Sequence, residues 1–189
     1  MTPLYVAIGL VVVLGLALVV SYNRFVAQRA GVESSWSGVD VQLQRRHDLI
    51  PNLVEAVRGY ATHERELFEQ VTAARTAAVS ADHDPRTGPA EQARREEALT
   101  GAAHRLLAVA EGYPDLRAST NFQQLQRQLV ETEDRIAAAP RLYNIEVRGL
   151  NRRCEAFPSN LVASTFGFSR AEYFELTDPG AAATPVVEV

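Results

Sequence analysis

From Leu4 to Val20 every residue is apolar, with glycine only at Gly9 and Gly15, and the first charged side chain on the chain is Arg24. Seventeen apolar residues, extended by Pro3, Ser21 and Tyr22, give about the 20 helical residues that cross a hydrocarbon core of roughly 30 Å. Beyond them, from about residue 32 to 157, strand-like alternation is absent and helix formers dominate. Breaks fall at Gly59–Thr62, with Thr62 as N-cap, at Asp82–Pro89, with Pro89 as a first helical residue, and at Gly112–Asp115. They divide the chain into helices over about 22–60, 62–82, 89–111 and 117–157.

The two long helices carry an apolar repeat of seven. In the first, Trp36, Leu43, Ile50 and Val57 form one series, and Val39, Arg46, Leu53 and Tyr60 its companion. In the last, Phe122, Leu129, Ile136, Tyr143, Leu150 and Phe157 recur, flanked by Leu125, Thr132 and Ala139. This is a coiled-coil-like seam. The middle helices offer smaller knobs, Leu67, Val71, Ala74 and Ala78 in one and Leu99, Ala102, Leu106 and Val109 in the other. Short connections make neighbours antiparallel. The predicted fold is all-α: a transmembrane helix continuing into an antiparallel up-down-up-down four-helix bundle with two long outer helices. Residues 1–22 form the anchor, 23–157 the bundle, 158–176 an aromatic tail at the membrane-proximal end, and 177–189 a disordered C-terminus.

Charge orients this layout. Met1-Thr2-Pro3 carries no basic side chain, whereas Arg24, Arg29, Arg45 and Arg46 follow the apolar run. The same stretch lacks the positive start and the small-residue cleavage site of a signal peptide. Positive charge after the span predicts a single pass through the cell membrane, with the N-terminus outside and the helical domain in the cytoplasm. The net charge of -4 gives no electrostatic footprint for nucleic acid. All 19 basic residues are arginine, and Cys154 is the only cysteine, so an intrachain disulfide is excluded.

Candidate chemistry is sparse. His63-Glu64-Arg65-Glu66-Leu67 starts like a zinc-protease helix but has Leu67 where the second histidine must stand. Asp82-His83-Asp84 groups three metal-capable side chains in a Pro/Gly-rich loop, where a solvated turn is expected. Asp48 lies three residues after Arg45, a spacing that suits a local surface pair. Arg46 occupies a core position and must either snorkel to the bundle edge or pair. Matching the ends of the two long helices makes facing residue numbers sum to about 179. That sets Trp36 near Tyr143, Leu43 near Ile136, and Arg46 near Glu133 or Asp134. Arg46 and Glu133 are therefore expected as a register pair. The tail concentrates Phe157, Phe166, Phe168, Tyr173 and Phe174, which with Tyr22 and Phe25 either plug the end of the bundle or meet lipid headgroups.

At Trp36-Ser37-x-Val39-Asp40-Val41-Gln42-Leu43-x-Arg45-Arg46-x-Asp48-Leu49-Ile50-Pro51-Asn52-Leu53-Val54 the chain resembles the LemA family. The resemblance continues through Gly59-Tyr60-Ala61-x-His63-Glu64, Ala74-Arg75, Glu111-x-Tyr113-Pro114-Asp115, Asn121-Phe122, Thr132-Glu133-Asp134-Arg135-Ile136, Tyr143-Asn144, Phe157-Pro158, Gly167-Phe168 and Tyr173-Phe174. It implies a single-pass bacterial membrane protein with a helical bundle and no established enzymatic activity. Family members found in magnetosome membranes or encoded near membrane proteases suggest envelope maintenance or membrane organisation. Pro140 stands where Arg is usual in the family, and Leu150 where Tyr is usual. Pro140 should kink the last helix.

These features favour a membrane-anchored scaffold or adaptor with no cofactor, which meets the lipid membrane and a membrane or cytoplasmic protein partner. A membrane-shaping oligomer is the alternative, and homo-oligomerisation is compatible with both. An enzyme is the least supported reading, since no nucleophile–base pair, metal set or phosphate loop is visible.

Overall fold

The computed structural model describes residues 2–61, 63–84 and 86–176. Thr62, expected as an N-cap, and the expected disordered stretch 177–189 lie outside them. The described residues contain seven helices and no strand: α1 (Thr2–Arg58), α2 (Arg65–His83), α3 (Pro89–Ala110), α4 (Pro114–Ala118), α5 (Thr120–Ala138), α6 (Pro140–Glu155) and α7 (Ser159–Phe166). The apolar run and the first long helix are one element, because α1 continues through Arg24 without a break.

The chain divides into two compact units, one formed by residues up to Ser37 with Arg141–Glu172, the other by Gly38–Pro140 with the segment from Tyr173. In the second unit one apolar core is shared by Ile50, Leu53 and Val57 of α1, Phe68 and Val71 of α2, Leu99 and Leu106 of α3, Leu116 of α4, and Phe122 and Leu129 of α5. In the first unit Phe25, Leu150 and Ala163 form a smaller core with Val32, Val162 and Phe168 against it. Trp36 meets Tyr143 edge-on there, with ring centroids 5.1 Å apart. The Tyr143 hydroxyl donates to Glu172 O at 2.8 Å. Asn151 holds the backbone of Ala171 from both sides, each hydrogen bond 2.9 Å.

The last long helix is not continuous, and the causes are local. Ser119 ends α4 and caps α5, its hydroxyl accepting from Phe122 N at 3.5 Å. Pro140 has no N–H to give Ile136 O, and α5 stops at Ala138. Ala139 keeps helical angles and its bond to Arg135 O, so the interruption between α5 and α6 is one missing rung. The tail also holds a helix not expected from the sequence. α7 ends at Gly167 with φ +72°, where glycine avoids the Cβ clash of the left-handed region, and Phe168 N reaches back to Ala163 O at 2.9 Å. Both seven-residue series outlast their helices. Tyr60 lies past the end of α1 and Phe157 past α6, and they are exposed by 45% and 80%.

Pro51 sits inside α1 without ending it. Its missing N–H leaves His47 O without an intrahelical donor, and Arg75 Nε from α2 supplies one at 2.7 Å. A Pro–Arg substitute thus replaces a helical hydrogen bond with a contact between two helices. Arg75→Ala should cost about 1–3 kcal/mol by stranding a buried carbonyl. In a Pro51→Ala background, where the new backbone N–H can serve His47 O, the cost should drop below about 1 kcal/mol. Chemical denaturation of the four proteins checks this, and equal costs in both backgrounds would contradict the exchange.

Candidate functional site

The second unit buries a polar cluster at its centre. Heptad spacing turns Arg46 inward from α1, between Val39 and Leu53, and it is 1% exposed. His47 follows it with no exposed surface, on the face shared by Leu43, Ile50 and Val54. From α3 come Gln92 and Glu96, both buried. Arg46 Nη2 pairs with Glu96 Oε2, and Nη1 donates to Thr100 Oγ1 at 2.6 Å. The same Nη1 lies 3.1 Å from each Glu133 oxygen of α5, a carboxylate that retains 25% exposure. Glu96 Oε1 receives Gln92 Nε2 at 2.7 Å and faces His47 Nε2 at 2.9 Å. An ionised carboxylate only accepts, so Nε2 carries the hydrogen in that bond.

Burial opposes the ionisation of Glu96, but the His47 hydrogen bond and the Arg46 charge outweigh it and hold its carboxyl below the usual range. Such a group adds stability above the unfolded carboxylate range, and the stability is lost as pH falls through the folded value. The cluster joins α1, α3 and α5 through one guanidinium. Arg46 Nε, His47 Nδ1 and Gln92 Oε1 stay buried without a hydrogen-bond partner among the described residues, so the layer is only partly satisfied, while its ion pairs and hydrogen bonds between helices suit holding them in register.

A second carboxyl lies between α1 and α2. Burial, then the hydrogen bond and charge of Asp40, push Asp82 up to about 6, against the opposing pull of His47 and His83. Asp82 and His83 belong to the last turn of α2, not to a loop, and His83 Nδ1 bonds Val79 O at 2.8 Å. Asp84 accepts from Arg86 N at 2.9 Å. Among the described residues no three His, Cys, Asp or Glu side chains are placed to hold a metal. His63 is exposed ahead of α2.

The chain matches the LemA family over residues 35–189. It belongs to that family. It is similar to magnetosome protein MamQ 2 of Paramagnetospirillum magneticum, 31% identical over 90% of this chain and 70% of that protein. Magnetosome protein MamQ of Magnetospirillum gryphiswaldense is 28% identical over the same shares. Protein LemA of Metamycoplasma hominis is 25% identical over 82% of this chain and 69% of its own length.

The LemA motif residues do not converge on one place. Trp36 and Tyr143 meet in the first unit, where Asn144 is half-buried, while Arg46 and Pro51 anchor contacts in the second. Arg45 is half-buried and forms no ion pair with Asp48 among the described residues. Asp48 instead accepts from Gln44 one turn earlier at 3.0 Å, and Asn52 reaches its carbonyl at 3.4 Å. Phe157 and Pro158 are exposed, and Gly167 and Phe168 close α7. Of the expected interfacial aromatics, Phe25 and Phe174 have no exposed surface and cannot face lipid. Phe25 stacks on Phe168 at 4.8 Å, and Tyr22 meets Phe166 and Phe168 at 5.1 and 5.6 Å. Tyr22, Phe166 and Tyr173 stay 37–45% exposed.

Sequence reasoning missed Glu96, His47 and Gln92. The signal was present, since Glu96 lies three residues before Leu99 and seven before Ala103, and His47 three before Ile50 and seven before Val54. Glu96 also changes the expected energetics, because Glu133 is the outer partner of Arg46 and not its principal one. Arg46→Ala and Glu96→Ala should each cost about 3–5 kcal/mol by leaving a buried charge unpaired. Glu133→Ala should cost about 1 kcal/mol, because Arg46 keeps Glu96. Urea titration of the three variants checks the order, and Glu133→Ala as the most damaging would reverse it.

Asp82 gives a pH dependence of the opposite sign. A raised carboxyl adds stability below its ordinary value of 3.8, and that stability is lost as pH rises through about 6. Asp82→Asn should therefore gain on the wild type between pH 5 and 7, by about 1 kcal/mol or less after solvent screening. Thermal melts across that range check it, and a difference independent of pH would refute it.

Proposed function

We propose that this LemA-family protein is a membrane-anchored helical scaffold or adaptor without catalytic activity, acting in envelope maintenance or membrane organisation. The observation that carries the reading is α1. Its N-terminal part is apolar and long enough to cross a membrane, none of that part is buried by the rest of the chain, and the same helix supplies Arg46 to the buried cluster. An unbroken helix of this kind would couple the anchor mechanically to the helical domain, which we read as an up-down-up-down bundle. Two relatives named as magnetosome proteins support a role at a membrane. In the proposed topology the N-terminus lies outside and the domain in the cytoplasm. The partner is a membrane or cytoplasmic protein that binds the outer helix faces.

Two measurements test the reading. In a Cys154→Ser background, a cysteine at Thr2 should react with a membrane-impermeant thiol reagent on intact cells, and one at Asp84 should not. Release of the full-length protein by alkaline carbonate would refute the anchor, and the reverse labelling pattern would refute the topology. The alternative, a membrane-shaping oligomer, would show as large assemblies that deform liposomes where an adaptor stays small and leaves them round.

A further inference from the structure

In the first unit a groove of about 760 Å³ runs along the end of the apolar segment, walled by α1, α6 and α7. Its apolar lining includes Leu14 and Leu18 from the apolar run and Leu161 of α7. The same groove is lined by Arg24, Arg152 and Arg153. These three guanidinium groups form no ion pair among the described residues, whereas nearby Arg29 and Arg170 pair with Glu33 and Glu155. Arg153 is held in place, its guanidinium carbon 5.8 Å from the centre of the Phe25 ring. Its Nε is buried without a hydrogen-bond partner, as is Oε1 of Gln28, another lining residue.

From this placement we propose that the groove is a binding site for one anionic phospholipid. A lipid of that class has an acyl chain to lie along Leu14, Leu18 and Leu161, and a phosphate whose oxygens accept from arginine. Guanidinium forks match phosphate geometry, and phosphate is the complement of three uncompensated cations in an apolar groove. A free phosphate would use the arginines and leave the apolar lining wet. A second copy of the chain would bring arginines of its own. The position of the groove matters as much as its charge. Arg24 is the first charged residue after the span, the level at which headgroups meet an emerging helix. The bound lipid would fill the groove between α1 and α6–α7 and lock the small core around Phe25 to the membrane surface.

The inference rests on the membrane-anchor reading, and the two fail differently. Loss of the anchor would free the protein from vesicles of any composition, whereas loss of the site would leave it bound but indifferent to lipid charge. The test uses the full-length protein in detergent, with phosphatidylglycerol or phosphatidylcholine added, and native mass spectrometry to count retained lipid. One phosphatidylglycerol should be retained at least 10-fold more strongly than phosphatidylcholine. Arg24→Gln/Arg152→Gln, which changes two exposed side chains, should lose that preference, and Arg153→Gln should weaken it independently. The control Arg141→Gln/Arg148→Gln removes two charges from the same helix outside the groove lining and should keep it. Melting temperatures of all variants confirm that they are folded. Equal retention of both lipids, equal loss in the control, or displacement of the lipid by millimolar inorganic phosphate would overturn the proposal.

Discussion

A guanidinium in an apolar core is the constraint around which the second unit is built. Removing the Arg46 side chain from water is costly unless its charge is paired, and here both terminal nitrogens are met by charge or polar oxygen while Nε stays buried without a partner among the described residues. Glu96 meets the guanidinium from α3, Thr100 stands one turn further along the same helix, and Glu133 arrives from α5. Each of those positions is then fixed relative to α1 within hydrogen-bonding tolerance. A slip of one heptad would keep leucines and alanines packed but would leave the arginine unpaired. Apolar contact is permissive about register, and the buried charge is not.

The polar layer extends beyond the ion pair, and its parts depend on one another. His47 and Gln92 occupy the remaining Glu96 oxygen, so one carboxylate accepts from three side chains on two helices. One residue's backbone links this layer to the next contact. His47 O, set free by Pro51, takes Arg75 from α2. A proline that would normally weaken a helix therefore ties α1 to a neighbour, and residues 46–51 bond to α2, α3 and α5 within little more than one turn. The first unit is organised by different means, with aromatic stacking around Phe25 and amide contacts from Asn151 that hold residues near Ala171.

For the function of a LemA-family chain, this division has a physical meaning. Most of the buried polar contacts of the second unit join one helix to another, and among the described residues no three His, Cys, Asp or Glu side chains are placed to hold a metal. Outside those contacts, arginines line an apolar groove where α1 emerges from its apolar run. A buried polar layer and a cationic groove thus fall on one helix, the one whose apolar N-terminal part is long enough to cross a membrane.

Much of this was legible in the sequence because it depends on short-range periodicity. Hydropathy alone marked the apolar run, the absence of strands followed from helix propensity, and the seven-residue series selected Leu43, Ile50, Leu129 and Ile136, all of them buried. Matching the helix ends even placed Trp36 opposite Tyr143 in the first unit and Arg46 opposite Glu133 in the second, since each is a contact between facing heptad positions. Tertiary structure decided what periodicity cannot carry. Whether a charged residue on an apolar face is buried depends on a third helix, and Glu96 and His47 satisfy each other only once α3 lies against α1. Whether Pro51 breaks a helix depends on an arginine 24 positions away in the sequence. For Phe25 and Phe174 the sequence leaves a plug and a lipid contact as alternatives, because composition cannot distinguish a ring that faces lipid from one enclosed by its own chain, and both prove buried.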